Sequence, residues 1–177
     1  EMGLDVPETW DEFYRIMPPI QKKNMTAGIP FAQTIFESLL FQNDCDLYSD
    51  DQRSSRLNEA GALKAFEQWT GFYTEYGFPV TFDLFNRFRT GEIPIGFADI
   101  SFFSQLTVAA PELKGLWTMH PFPGTVKPDG SIDRQAGCYG SGSILMEDSF
   151  RKDEAFRFIS WWVSSDIQSK YGIEAEN

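Results

Sequence analysis

The sequence predicts an α/β fold, helix-rich with short strands. Apolar runs of strand length occur at 27–32, 93–98 and 115–119, bounded by turn residues. Between them lie longer segments whose apolar residues recur every three or four positions, the period of a helix with one buried face. Strands separated in sequence by helices are the α/β pattern. The chain has 177 residues, which is one domain or one and part of another, and is long enough to bury roughly 70% of its unfolded surface.

Composition removes several functions at once. Fifteen basic residues against 26 acidic ones leave a formal charge of −11. A nucleic-acid binder needs a basic face to neutralise phosphates, and an anionic membrane would repel this balance. No apolar stretch approaches the ~20 residues of a membrane-spanning helix. Aromatic residues reach 16%; most belong in a core, and a few facing a cleft would suit the flat apolar faces of sugar rings. Cys45 and Cys138 form no CxxC and have no histidine cluster beside them, so no metal centre and no disulfide scaffold is expected. They read as buried or free thiols. The single histidine, His120, ends an apolar run and reads as a hydrogen-bonded edge residue. No cofactor fingerprint follows any strand.

The elements follow in order. Thr9 with Glu12 is a capping box, and Trp10, Phe13 and Met17 continue at helical spacing until Pro18-Pro19 should interrupt, with a second set of turns to Lys23 left open. Residues 27–32 are a strand or extended segment and 34–42 a helix. The polar stretch 43–56 is a solvated loop that lacks the Gly and bidentate Glu of a calcium loop. Asn58 should cap the longest helix, with Ala62, Phe66, Trp69, Tyr73 and Tyr76 on one face and Gly77 at its end. Phe82, Phe85 and Phe88 mark a short helix closed by Gly91. Ile93–Ala98 is a strand, Ser101–Ala110 a helix stopped at Pro111, and Gly115–Met119 a further strand. Residues 121–130 form a loop or hairpin, and 135–146 a Gly-rich segment. Ala155, Phe158, Ile159 and Trp162 share one side of a helix over 152–164. Ser165 with Gln168 opens a last helix through Tyr171.

Catalytic constellations are absent. His120 is the one available imidazole base, and no G-x-S-x-G surrounds any serine. Acids are common enough for a glycosidase-like pair, for instance Asp99 with a second carboxylate. Asp99 ends the apolar run 93–98. It either caps the helix near Ser101 or sits at a strand end, where α/β sheets place their ligand clefts.

Several segments in order resemble one family. Pro7-Glu8-Thr9-Trp10-Asp11-Glu12-Phe13 is similar to a P-x-T-W-x-E helix opening. Leu57-Asn58-Glu59-Ala60 leads into an aromatic helix. Phe88 to Gly96 is similar to a helix end followed by a strand, and Pro121-Phe122-Pro123-Gly124 to a P-x-P-G turn. Gly137–Gly142 occupies a Gly-rich return strand. Ala155 to Trp162 with Gln168 and Tyr171 is similar to the closing helix pattern. Together these resemble the extracellular solute-binding proteins of family 1, the substrate receptors of ABC importers for sugars and oligosaccharides, and most of all their long Gram-positive members.

The resemblance implies a periplasmic-binding-protein-like type II fold, here incomplete: most of the second lobe plus elements of the first. Residues 1–110 would form most of the second, C-terminal lobe, and 111–177 a return segment to the first lobe with closing helices. The chain therefore reads as an internal or C-terminal fragment, whose exposed apolar surface predicts self-association. The implied function is binding of a carbohydrate between two lobes and delivery to a membrane permease, without chemistry and without cofactor or metal. The implied location is extracellular, anchored at the cell surface as a lipoprotein. Matched by position, the ligand-binding candidates are Phe31, Gln33, Thr34, Phe82, Asp99, Ser101, Phe102, Tyr139 and Gly140, with Ala32 beside them. Aromatics would stack on sugar faces while Gln33, Asp99 and Tyr139 exchange hydrogen bonds with hydroxyls.

Overall fold

A computed structural model describes residues 2–137, 140 and 142–175. Helix α1 (Trp10–Gln21) starts at the predicted cap: the Glu12 amide donates to the Thr9 hydroxyl at 3.3 Å. The Glu12 carboxylate reaches back one residue further than a capping box requires and accepts from the Glu8 amide at 2.8 Å. Trp10, Phe13, Met17 and Ile20 form the buried face. The expected break at Pro18-Pro19 does not occur, and α1 runs through both prolines to Gln21. Both rings point to solvent, where the lost helical donors are least costly, and Ile20, buried in the core, keeps the last turn in register.

Strand β1 (Ala27–Gly28) pairs in parallel with β2 (Ile95–Gly96), Ala27 opposite Ile95 and Gly28 opposite Gly96. The apolar runs are longer than the ladder they build. Thr26 N–H to the Glu92 carbonyl and Phe97 N–H to the Gly28 carbonyl (2.8 Å) extend the pairing at either end. Gly28 is needed here, because a Cβ would fall 2.9 Å from Cε2 of Phe82 and 3.0 Å from Cγ2 of Ile93.

Helices α2 (Gln33–Gln42) and α3 (Ala60–Thr74) pack side by side. At Gly61 the two approach so closely that a Cβ would lie 2.6 Å from the Asn43 carbonyl oxygen. Asn58 does not cap α3. The cap is Glu59, whose carboxylate takes two 2.9 Å hydrogen bonds from Arg56. The buried face of α3 is also rotated from the predicted stripe. Ala62, Ala65 and Phe72 are buried, because small residues let α2 come close, whereas Phe66 stays half exposed at the margin.

Helix α4 (Leu84–Arg89) is capped by Asp83, which accepts from the Asn86 amide at 3.0 Å. After β2 come α5 (Ser101–Ala109) and a 3-10 turn at Pro111–Leu113. Gly115–Met119 does not form the expected strand; Leu116 lies exposed, with no ladder to join. The pairing falls later, in the region read as a hairpin. There β3 (Thr125–Val126) and β4 (Ile132–Asp133) are antiparallel. Helices α6 (Lys152–Trp162) and α7 (Ser165–Ala175) pack on each other, the last running past Tyr171.

One core joins α1, β1, α2 and α3, with Phe13, Met17, Ile29, Leu39, Leu40 and Phe72 fully buried. Trp10 is its aromatic centre, stacked on Phe97 (5.9 Å, 6°) and edge-on to Phe13 and Phe122. Such pairs contribute about 0.5–1.5 kcal/mol each beyond area burial. Cys45 is a buried free thiol in this core, and burial together with Glu59 pushes its pKa up. Cys138 lies outside the described residues. No residue of α6 is buried: Phe156 is 63% and Trp161 52% exposed.

Candidate functional site

Because β1 and β2 are parallel, both chains leave the ladder at the same edge. β1 leads through Ile29-Pro30 to Phe31 and then into α2, which begins with Gln33 and Thr34. β2 leads through Phe97-Ala98 to Asp99 and then into α5, which begins with Ser101 and Phe102. Six of the nine predicted residues thus lie just beyond the C-terminal ends of two paired strands, the position where open parallel sheets bind ligands.

Phe31 is 53% exposed and lies flat on Trp69, with ring centroids 4.4 Å apart and planes 12° from parallel. Tyr73 meets it edge-on at 5.3 Å, and its hydroxyl donates to the Ile29 carbonyl at 3.2 Å. Burial raises the Tyr73 phenol to about 12. The Trp69 indole N–H is buried close to that hydroxyl, at a geometry short of a hydrogen bond. One broad aromatic ring is therefore presented to solvent on a backing of two others. Phe36 and Phe66 extend the wall.

Polar groups stand at the same strand ends. The N-cap of α2 is Ala32, which supplies no side-chain acceptor, so the first amides of α2, those of Gln33 and Thr34, have no hydrogen-bond acceptor among the described residues. Gln33 is exposed, and its Nε2 donates to Oε1 of the buried Glu37 at 2.6 Å. The Thr34 carbonyl accepts from the Ser38 hydroxyl at 2.7 Å. On the other strand end, Oδ1 of Asp99 accepts from both the Ser101 amide (2.9 Å) and the Ser101 hydroxyl. Asp99 thus does the work of a cap for α5 while remaining exposed at the edge. Phe102 packs edge-on against Phe88 at 5.8 Å.

The remaining candidates lie apart. Phe82 is half-buried against the backbone of β1, its Cε2 closing on Gly28. Gly140 is exposed, with nothing within 4 Å of where its Cβ would stand. Tyr139 lies outside the described residues. The chain just before it does reach α2: the Gly137 amide donates to the Ser38 hydroxyl at 2.9 Å, and a Gly137 Cβ would lie 3.1 Å from the Thr34 carbonyl oxygen.

Several residues of this region escaped the sequence reading. Trp69 and Tyr73 carried a signal in their four-residue spacing on α3, but nothing pointed to Phe31 as their partner. Glu37, Ser38 and Gln42 gave none. Gln42 is fully buried: its Oε1 accepts from Trp10 Nε1 (2.9 Å) and the Thr125 hydroxyl (3.0 Å), and its Nε2 donates to the carbonyls of Pro123 (3.1 Å) and Gln135 (3.0 Å). Beside it, Lys127 bonds the Gln42 carbonyl (2.9 Å) and Asp44 (2.7 Å) and pairs with Asp133 at 3.2 Å. Burial opposes the Lys127 charge, but the two carboxylates outweigh it and hold its pKa above the ordinary value. These bonds fasten residues 123–135 to α1 and α2.

The strand-end face is open. Two surface hollows formed by the described residues lie elsewhere, one between α3 and the β3–β4 hairpin and one between α1 and α3. Among the described residues no His, Cys, Asp or Glu group is arranged to hold a metal ion, and no helix is long and apolar enough to cross a membrane.

This architecture is a periplasmic-binding-protein-like fold in incomplete form. The chain belongs to the bacterial extracellular solute-binding proteins, whose family model matches residues 2–174. No curated protein sequence matches it. Among solved structures, the sugar-binding protein MalE from Xanthomonas citri superposes with a TM-score of 0.74 at 22% identity, covering 96% of this chain and 45% of that one. An ABC transporter solute-binding protein from Thermotoga lettingae TMO bound with alpha-D-tagatose gives 0.67 at 18% identity, over 96% and 45%. A putative oligosaccharide periplasmic-binding protein from Synechococcus sp. MITs9220 gives 0.66 at 19%, over 97% and 44%. The chain therefore spans about 45% of the length of these neighbours.

Proposed function

We propose that the chain is the greater part of the second lobe of an ABC-importer substrate receptor, and that the whole protein binds a carbohydrate between its lobes and hands it to a membrane permease. The observation that carries this reading is the strand-end face: an exposed aromatic ring, Phe31 on Trp69, at the same sheet end as Gln33, the Asp99–Ser101 pair and α2 amides that have no acceptor among the described residues. A ring for an apolar sugar face and polar groups for its hydroxyls are the two things carbohydrate recognition needs. Phe31, Gln33, Thr34, Asp99, Ser101 and Phe102 are the contacts of this lobe, and Phe82, Tyr139 and Gly140 are further candidates by their place in the sequence. The sugar-binding and oligosaccharide-binding proteins among the structural neighbours support the ligand class.

On this reading residues 1–110 are most of the second lobe and 111–177 the return segment with closing helices. Residues 123–137 are clamped to the lobe by Gln42 and Ser38, and α6–α7 extend beyond it with their aromatic side chains uncovered. Binding, not turnover, is the role: Asp99, the acid a hydrolytic reading would need, is engaged with Ser101. The protein works outside the cell, held at the surface. Thermal unfolding of the whole protein against mono- and oligosaccharides tests the assignment, since a ligand of the native state raises the midpoint with concentration. A rise with one sugar is expected; a flat response to the entire panel would contradict it.

A further inference from the structure

Gln33 and Glu37 stand one turn apart on α2. Glu37 is 6% exposed, although a carboxylate is seldom buried, and the Gln33 Nε2 donates to its Oε1 at 2.6 Å. A carboxylate accepts hydrogen bonds, so it selects between the two ends of the neighbouring carboxamide. The NH2 end must face Glu37. The carbonyl oxygen, on the same carbon and about 120° away, must then face outward. Gln33 itself is exposed, and its Oε1 has no donor among the described residues. Glu37 cannot swing aside freely, since the backbone at Gly137 closes over it: a Cβ there would lie 3.2 Å from Glu37 Oε2 and 3.4 Å from its Cβ.

We infer that Glu37 is a positioning residue, which holds the Gln33 carboxamide with its carbonyl oxygen toward the ligand, so that this edge of the site selects a group that donates a hydrogen bond. This rests on the carbohydrate reading for the identity of that group, a hydroxyl, but not for the orientation of the amide. The neighbouring α2 amides supply the opposite polarity. A sugar hydroxyl, which is donor and acceptor at once, matches both, whereas fluorine can only accept.

Two measurements on the whole protein test this. The first needs no ligand. In 15N-resolved NMR one proton of the Gln33 side-chain NH2, the one bonded to Glu37, should lie well downfield of its partner and exchange slowly with solvent. Glu37→Gln should narrow the separation toward that of a free carboxamide and speed the exchange. A native Gln33 NH2 with free-carboxamide separation and fast exchange would overturn the proposal. The second uses D-glucose, D-tagatose, maltose and maltotriose with their monodeoxyfluoro derivatives. For a sugar that binds, one fluorine substitution should weaken affinity about fivefold to tenfold, the scale of one hydrogen bond. Glu37→Gln should cut that discrimination below twofold, because a freely turning amide meets fluorine with its NH2. Gln33→Leu should do the same by removing the acceptor, and serves if Glu37→Gln fails to fold. Unchanged discrimination in a folded variant would overturn the proposal. If no sugar binds while the NMR signature is present, the carbohydrate reading falls and the positioned amide stands.

Discussion

Trp10 Nε1 donates a 2.9 Å hydrogen bond to Gln42 Oε1, so the central aromatic of the core is held by a fully buried amide on α2. The same amide bonds the carbonyls of Pro123 and Gln135, which makes it the joint between the lobe and the returning chain. Replacing Gln42 by Leu keeps the volume and removes every side-chain bond. The Trp10 indole N–H and the Pro123 carbonyl would then be buried unpaired, and the Thr125 hydroxyl and the Gln135 carbonyl would each lose a partner. We expect a loss of about 2–4 kcal/mol in urea unfolding, since each orphaned buried group costs about 1–3 kcal/mol with partial relaxation.

Tyr73 links stability to pH at the alkaline end. Burial raises its phenol from 10.0 to about 12 in the folded chain. Below pH 10 both states hold the proton and this residue adds no pH dependence. Between pH 10 and about 12 the unfolded state releases the proton first, so stability falls as pH rises through that window. Urea midpoints from pH 8 to 12 should decline more steeply for the native chain than for Tyr73→Phe. Tyr14, also raised by burial, contributes in the same direction in both proteins and cancels in the comparison.

Phe31 covers Trp69 at 4.4 Å, so Trp69 should report on the site. Phe31→Ala uncovers the indole, and its emission should move to longer wavelength. The variant should stay folded, because Phe31 is half exposed, yet lose about tenfold in sugar affinity through loss of the stacking face. Titration calorimetry on the whole protein checks the affinity.

The 177-residue chain by itself should self-associate. Phe150, Phe156, Phe158 and Trp161 are all more than half exposed on or next to α6, more apolar surface than a lone α-hairpin keeps in water. Light scattering at rising concentration should show growing mass; a clean monomer throughout would contradict this. The whole protein should remain monomeric.

Much of the fold was legible because it is local. Thr9 and Glu12 marked the start of α1, Gly91 the stop of α4, and the 121–130 turn residues the hairpin. The errors arose where tertiary contacts overrode local preference. Burial of Ile20 carried α1 through two prolines, and the approach of α2 rotated the buried face of α3 toward Ala62 and Ala65. Gly115–Met119 has strand composition but no strand edge to pair with among the described residues. The strand-end placement of Phe31 and Asp99 followed from pattern and resemblance together. Glu37 and Gln42 were invisible, since a buried amide or carboxylate is defined by partners 4 to 93 positions away in the chain.

The most direct test is a calorimetric titration of the whole protein with the sugar panel, followed by recovery of the sugar. Saturable binding with the sugar recovered intact, weakened in Phe31→Ala and Gln33→Leu, is the predicted result. No heat with any sugar, or new reducing ends released in a manner that Asp99→Asn abolishes, would contradict a carbohydrate receptor.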